Sequence, residues 1–114
     1  MHELAVTQDI LDIALGKAEE AKAKKITRIN LVIGDMAGIL DNCVQFYFDF
    51  LSKDSIASGA ALSFKRIHTR FHCRGCGHIY QAGDSLPYNC PQCGEWNVEV
   101  VAGREFYIDS IEVD

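Results

Sequence analysis

The chain has 114 residues, 48% of them apolar and 10% aromatic, which suits one compact domain or a small domain carrying a smaller module and rules out a disordered tail. Its formal net charge of -5 speaks against a general nucleic-acid binder, which needs a basic stripe to meet phosphates. No apolar run approaches the roughly twenty residues that cross a bilayer, and Met1-His2-Glu3-Leu4 has neither the basic start nor the apolar stretch of a signal peptide, so a cytoplasmic chain without membrane contact is expected.

In chain order, Leu4 to Lys24 reads as a helix, because Leu11, Ala14, Leu15, Ala18 and Ala21 recur at helical spacing while Glu19, Glu20, Lys22 and Lys24 supply a wet face. Asp9 and Asp12 fall on the solvated side. Thr27 to Ile33 alternates, with Thr27, Ile29, Leu31 and Ile33 on one face and Arg28 and Asn30 on the other, as in a half-buried strand. Gly34-Asp35-Met36-Ala37-Gly38 breaks it. Asp41 is expected to cap a second helix, whose apolar stripe of Val44, Phe48 and Leu51 is widened by Phe46, Tyr47 and Phe50, with Cys43 as a small buried side chain. Ser58-Gly59 closes that region. Leu62 to Thr69 is a strand with Leu62 and Phe64 on one side and Ile67 on the other. Arg104 to Val113 is rich in β-formers, and its alternation slips at Ser110, where a bulge is expected.

Between the last two strands stand two matching pairs, Cys73-Arg-Gly-Cys76-Gly and Cys90-Pro-Gln-Cys93-Gly. Each pair can turn two thiolates onto one ion, and two pairs make the closed tetrahedral set of a structural metal, for which zinc is the default. Four sulfur donors leave no position for substrate or water, so the expected role of Cys73, Cys76, Cys90 and Cys93 is structural rather than catalytic. The same pattern, with Tyr80 soon after the first pair, also resembles the iron site of rubredoxins, which keeps an electron carrier open as an alternative. Most of the chain, however, lies outside the metal module. A ribbon that contacts nucleic acid is disfavoured by charge: residues 70–103 carry a net -1, which four thiolates and one zinc take to about -3. His72 and His78 flank the first pair and, like His68, are expected to face solvent.

The start of the chain offers a second metal site. The α-amine of Met1, the backbone nitrogen of His2 and its ring Nδ1 can close adjacent chelate rings, with Glu3 as a candidate further donor. Such nitrogen-rich sets suit Ni(II) and Cu(II). There is no Gly-x-x-x-x-Gly-Lys-[Ser/Thr] phosphate loop, no Ser/His/Asp set and no paired carboxylates, so no catalysis by this chain is expected.

Taken together, Met1-His2-Glu3-Leu4 opening a helix, Ile33-Gly34-Asp35 after a strand, the doubled Cys-x-x-Cys ribbon and the ending Asp109-Ser110-Ile111-Glu112-Val113 resemble the HypA/HybF family of nickel-incorporation accessory proteins over essentially the whole chain. The resemblance implies that His2 is the essential nickel ligand with Glu3 nearby, that Ni(II) is a transient cargo, and that the four cysteines hold structural Zn(II). It implies an accessory GTPase and the precursor of a nickel–iron hydrogenase large subunit as partners, with the chain acting as a monomer or homodimer. The family often carries Glu where this chain has Asp35. The fold expected is α+β: a small mixed sheet with two helices, residues 1–69 completed by a strand in 104–114, with an inserted zinc-ribbon module at 70–103. A zinc-ribbon adaptor without nickel chemistry is the remaining alternative.

Overall fold

The computed structural model describes residues 3–81 and 89–114. Helix α1 (Glu3–Glu20) buries Thr7, Ile10, Leu11, Ala14 and Ala18, the i, i+3, i+4 stripe that the sequence shows, while Asp9 and Asp12 stay exposed. It stops short of Lys24. Lys22 adopts a left-handed φ of 55°, the Ala23 N–H reaches back to the Ala18 carbonyl at 2.9 Å, and the Lys22 N–H to that of Glu19 at 3.0 Å, a Schellman closure that leaves Ala21 exposed. A side chain in that conformation costs about 1–2 kcal/mol. Lys22→Gly is therefore expected to raise stability by about 1 kcal/mol, read as a higher urea midpoint at unchanged slope.

Strand β1 (Ile26–Gly34) buries Ile29, Leu31 and Ile33 as expected, but Thr27 is exposed. Ile26 pairs with Val113 and Arg28 with Glu112, so Thr27 is an extra residue at a bulge, its hydroxyl donating to the Glu112 carbonyl at 3.1 Å, and Ile26 takes the buried place instead.

Helix α2 (Asp41–Leu51) carries the chain over the sheet to β2 (Ala61–Ile67), which lies parallel to β1 and so requires such a crossover. Its N-cap is Leu40, which makes no side-chain cap bond; the expected cap, Asp41, is the first helical residue, and its carboxylate is engaged by Arg66. Val44 and Phe48 are fully buried, whereas Phe46 and Phe50 are 69% and 65% exposed. Each sits two residues from Phe48, about 160° around the helix, so neither can share its face. Cys43 is half-buried.

Strand β2 ends at Ile67 rather than Thr69, and the chain enters a second sheet. There β3 (Arg70–Cys73) is flanked by β4 (Ile79–Gln81) and β5 (Val98–Ala102), both antiparallel to it. Strand β6 (Phe106–Val113) then returns to the first sheet, antiparallel to β1, giving the order β2-β1-β6. Asn30 pairs with Ser110 and Leu31 with Ile108, which makes Asp109 the bulged residue beside the expected slip. The core face of this sheet consists of cross-strand rows, Leu62–Ile29–Ile111, Phe64–Leu31–Ile108 and Arg66–Ile33–Phe106, packed under α1 and α2. The expected α+β class is the one found. Among the described residues, no helix is long and apolar enough to cross a membrane.

The two sheets meet at a crossing of backbones. The Met36 N–H bonds the Gly103 carbonyl at 2.7 Å, the Gly34 N–H that of Glu105 at 2.6 Å, and the Asp35 N–H that of Ile67 at 3.0 Å. Gly103 holds a φ of 118°, and Thr69 occupies the space where a Cβ on it would stand.

Candidate metal centres

The two cysteine pairs form congruent knuckles. In the first, the Cys73 N–H bonds the His78 carbonyl and the Gly77 N–H bonds that of Cys73, both at 2.8 Å; in the second, the same bonds run from Cys90 to Glu95 at 2.9 Å and from Gly94 to Cys90 at 2.8 Å. Gly77 and Gly94 both have left-handed φ, 80° and 79°, which is why glycine follows each pair. The turns aim backbone N–H groups at sulfur: Gly75 and Cys76 toward Cys73, Gln92 and Cys93 toward Cys90, His78 toward Cys76, Glu95 toward Cys93.

The pairs then face one another. Cys73 and Cys93 place their sulfurs 3.6 Å apart, as do Cys76 and Cys90, and all four sulfurs lie within 4.8 Å of one another. These are not disulfides, which need about 2.05 Å. Sulfurs about 2.3 Å from a central ion would lie about 3.8 Å apart at tetrahedral corners, so the cage has the size for a zinc-like ion. Cys73 and Cys90 are buried and Cys76 and Cys93 are at the surface.

The thiols answer this crowding unequally. Burial opposes ionisation of Cys90, but the N–H groups of Cys93 and Gln92 and the neighbouring sulfurs outweigh it and bring it down to about 7. For Cys93 the Glu95 N–H is outweighed by burial and by the other three sulfurs, which push it up to about 12. Four thiolates so close need a cation to ionise together, and a divalent metal would supply it. The flanking histidines are not free in solvent. His72 is half-buried with Nδ1 3.2 Å from Glu99, whose carboxyl is held below its usual range first by Arg74 and then by His72. His78 is half-buried and stacks on Tyr80 at 5.7 Å between ring centres.

At the other end, Met1 and His2 lie outside the described residues. Glu3, the other predicted nickel donor, opens α1 and is 7% exposed, its carboxylate accepting the Leu40 N–H at 3.3 Å. A concavity beside it is lined by Glu3, Asp35, Gly38, Ile39, Leu40 and Arg66. Arg66 donates to the Ile39 carbonyl at 2.8 Å and grips the Asp41 carboxylate, while His68 Nδ1 lies 3.1 Å from Asp35. Arg66 escaped the sequence reading, although a signal existed: it continues the Leu62, Phe64 alternation, so it is a charge at an inward-facing strand position.

Residues 1–113 match the family model described as hydrogenase/urease nickel incorporation, metallochaperone, hypA. Among similar proteins, the hydrogenase maturation factor HypA of Dehalococcoides mccartyi is 54% identical over 114 residues, covering all of this chain and 95% of its own. The protein of the same name from Caldanaerobacter subterraneus is 43% identical, with full coverage of both chains. The solution structure of the nickel metallochaperone HypA from Helicobacter pylori shares the fold, with a TM-score of 0.66 at 24% identity over 99% of this chain and 97% of that one. The chain belongs to the HypA family of hydrogenase/urease nickel-incorporation metallochaperones.

Proposed function

We propose that this chain binds Ni(II) through His2 and the N-terminal backbone, with Glu3 beside it, and hands the ion to the precursor of a nickel–iron hydrogenase large subunit. Zn(II) on Cys73, Cys76, Cys90 and Cys93 serves structure alone. The match over residues 1–113 carries the reading. The nickel unit comprises residues 1–69 with 104–114, and 70–103 form the zinc unit. The absence of a phosphate loop assigns nucleotide hydrolysis to a partner GTPase, and the chain itself catalyses nothing. Delivery favours a ligand set at a chain end, which exchanges metal more readily than a closed four-sulfur cage. Family membership across the chain favours this role over a rubredoxin-like carrier or a bare ribbon adaptor.

The test is metal analysis of untagged protein followed by Ni(II) titration. One zinc per chain is expected, with nickel binding that His2→Ala or an N-terminal extension abolishes while zinc and fold persist. Nickel binding indifferent to both changes, or iron in the cysteine site with a red, redox-active spectrum, would overturn it.

A further inference from the structure

Arg66 is the one charged member of the inward-facing rows of the first sheet, paired in register with Ile33. Its neighbours on that face of β2, Leu62 and Phe64, pack against the core. At the end of the strand, its side chain reaches the start of α2, where the guanidinium bonds the Ile39 carbonyl and the Asp41 carboxylate. It is not a loose surface pair, since the side chains of Arg66 and Asp41 are only 31% and 39% exposed. Arg66 also lines the concavity that holds the Glu3 carboxylate, and Asp41 follows directly on Leu40, whose N–H binds Glu3. One positive charge and the carboxylates of Glu3, Asp35 and Asp41 are thus gathered at the predicted nickel end of the molecule.

We propose that Arg66 is a built-in competitor for nickel: by occupying Asp41 and placing a fixed positive charge in the concavity that Glu3 also lines, it keeps the N-terminal site weak and quick to release its ion. The inference rests on the N-terminal nickel reading above and adds its regulation. The charge of a ligand cluster tunes the affinity of a cation. With Arg66 in place, the group of Glu3, Asp35, Asp41 and Arg66 carries -2; without the guanidinium it carries -3, and Asp41 loses its cationic partner. A unit charge about 6–12 Å from a dication, screened at close to the dielectric of water, shifts binding by roughly three- to tenfold. A delivery protein has use for such a brake, because an ion held too tightly is not passed on. Asp35 is engaged in a similar way by His68, but that contact is more exposed and more easily displaced.

The sign of the effect separates this role from a purely structural one. If Arg66 only clamped the loop before α2, removing it would loosen Glu3 and weaken nickel binding. The experiment is calorimetric Ni(II) titration of untagged, zinc-loaded protein at low salt, with stopped-flow transfer of nickel to EDTA. Arg66→Gln is expected to bind three- to tenfold more tightly and to release nickel correspondingly more slowly. Arg66→Lys should stay close to wild type in affinity, because it retains the charge. The gain should shrink as salt screens it, and adding Asp41→Asn to Arg66→Gln should cancel it by returning the cluster to -2. Equal or weaker binding by Arg66→Gln, with His2→Ala still abolishing nickel binding, overturns the proposal, as does a gain that survives Asp41→Asn. Nickel binding untouched by His2→Ala would instead overturn the N-terminal site itself.

Discussion

Cys73→Ser is expected to strip the protein of zinc. Cys73 is fully buried at the end of β3. Its sulfur receives two backbone N–H groups and stands 3.6 Å from Cys93, so a serine oxygen would be both too short and too hard a donor for the cage. Four-ligand zinc contributes about 10–16 kcal/mol in small zinc modules, and among the described residues the cysteine module has little else to stabilise it: Phe71, Cys73 and Cys90 are the buried core residues described there, against thirteen in the cluster under the helices. Zinc should fall from about one per chain to below about a tenth after dialysis against chelator. Amide exchange should quicken across residues 70–81 and 89–102 while Ile29, Leu31 and Phe48 stay protected. Acid should reproduce the loss. Zinc binding displaces the protons of the thiols, so falling pH favours the protonated, metal-free cage. With Cys90 at about 7 and Cys93 at about 12 in the absence of metal, zinc affinity should drop continuously as pH is lowered from 8 toward 5. A Cys73→Ser protein that retains stoichiometric zinc, or a zinc affinity flat across that range, would refute the four-cysteine site.

Gly34→Ala should damage the protein almost as much, without touching a metal ligand. A Cβ at Gly34 would lie 2.1 Å from the Gly103 carbonyl oxygen, 2.2 Å from its carbon and 2.7 Å from the Arg104 nitrogen. All three are backbone atoms, so no rotamer change relieves the overlap. Separating the strands enough would break the bonds from Gly34 to Glu105 and from Met36 to Gly103, each contributing about 1 kcal/mol. A loss of about 3–5 kcal/mol is expected, against a total stability of about 5–15 kcal/mol for a chain of this kind. Gly16→Ala is the control. Gly16 is an exposed helical residue with nothing within 4 Å of a Cβ, and there alanine should stabilise by about 0.5–1 kcal/mol. The same substitution should thus move the urea midpoint in opposite directions at the two sites. A Gly34→Ala midpoint close to that of the wild type would mean that the junction yields easily.

The helix stripes, the inner row of β1, the bulge near Ser110 and the metal cage were legible in the residues alone. These depend on spacing between near neighbours: 3.6 residues for a helix, two for a strand, and the Cys-x-x-Cys-Gly turn, whose hydrogen bonds close within six residues. Chain chemistry alone also marked His2 and Glu3 as a place for nickel. The rest came from contacts between distant segments. Asp41 looked like a cap because Asp suits that place, but a guanidinium from β2, 25 residues on, took its carboxylate. Phe46 and Phe50 looked like core because they are apolar, yet the helix could turn only one face inward. Gly34 read as a strand breaker, and only the pairing of β6 with β1 revealed a glycine required by another backbone passing within a carbon's width. Local periodicity reports which side of an element is buried; it carries no information about which distant backbone or charge will lie against it.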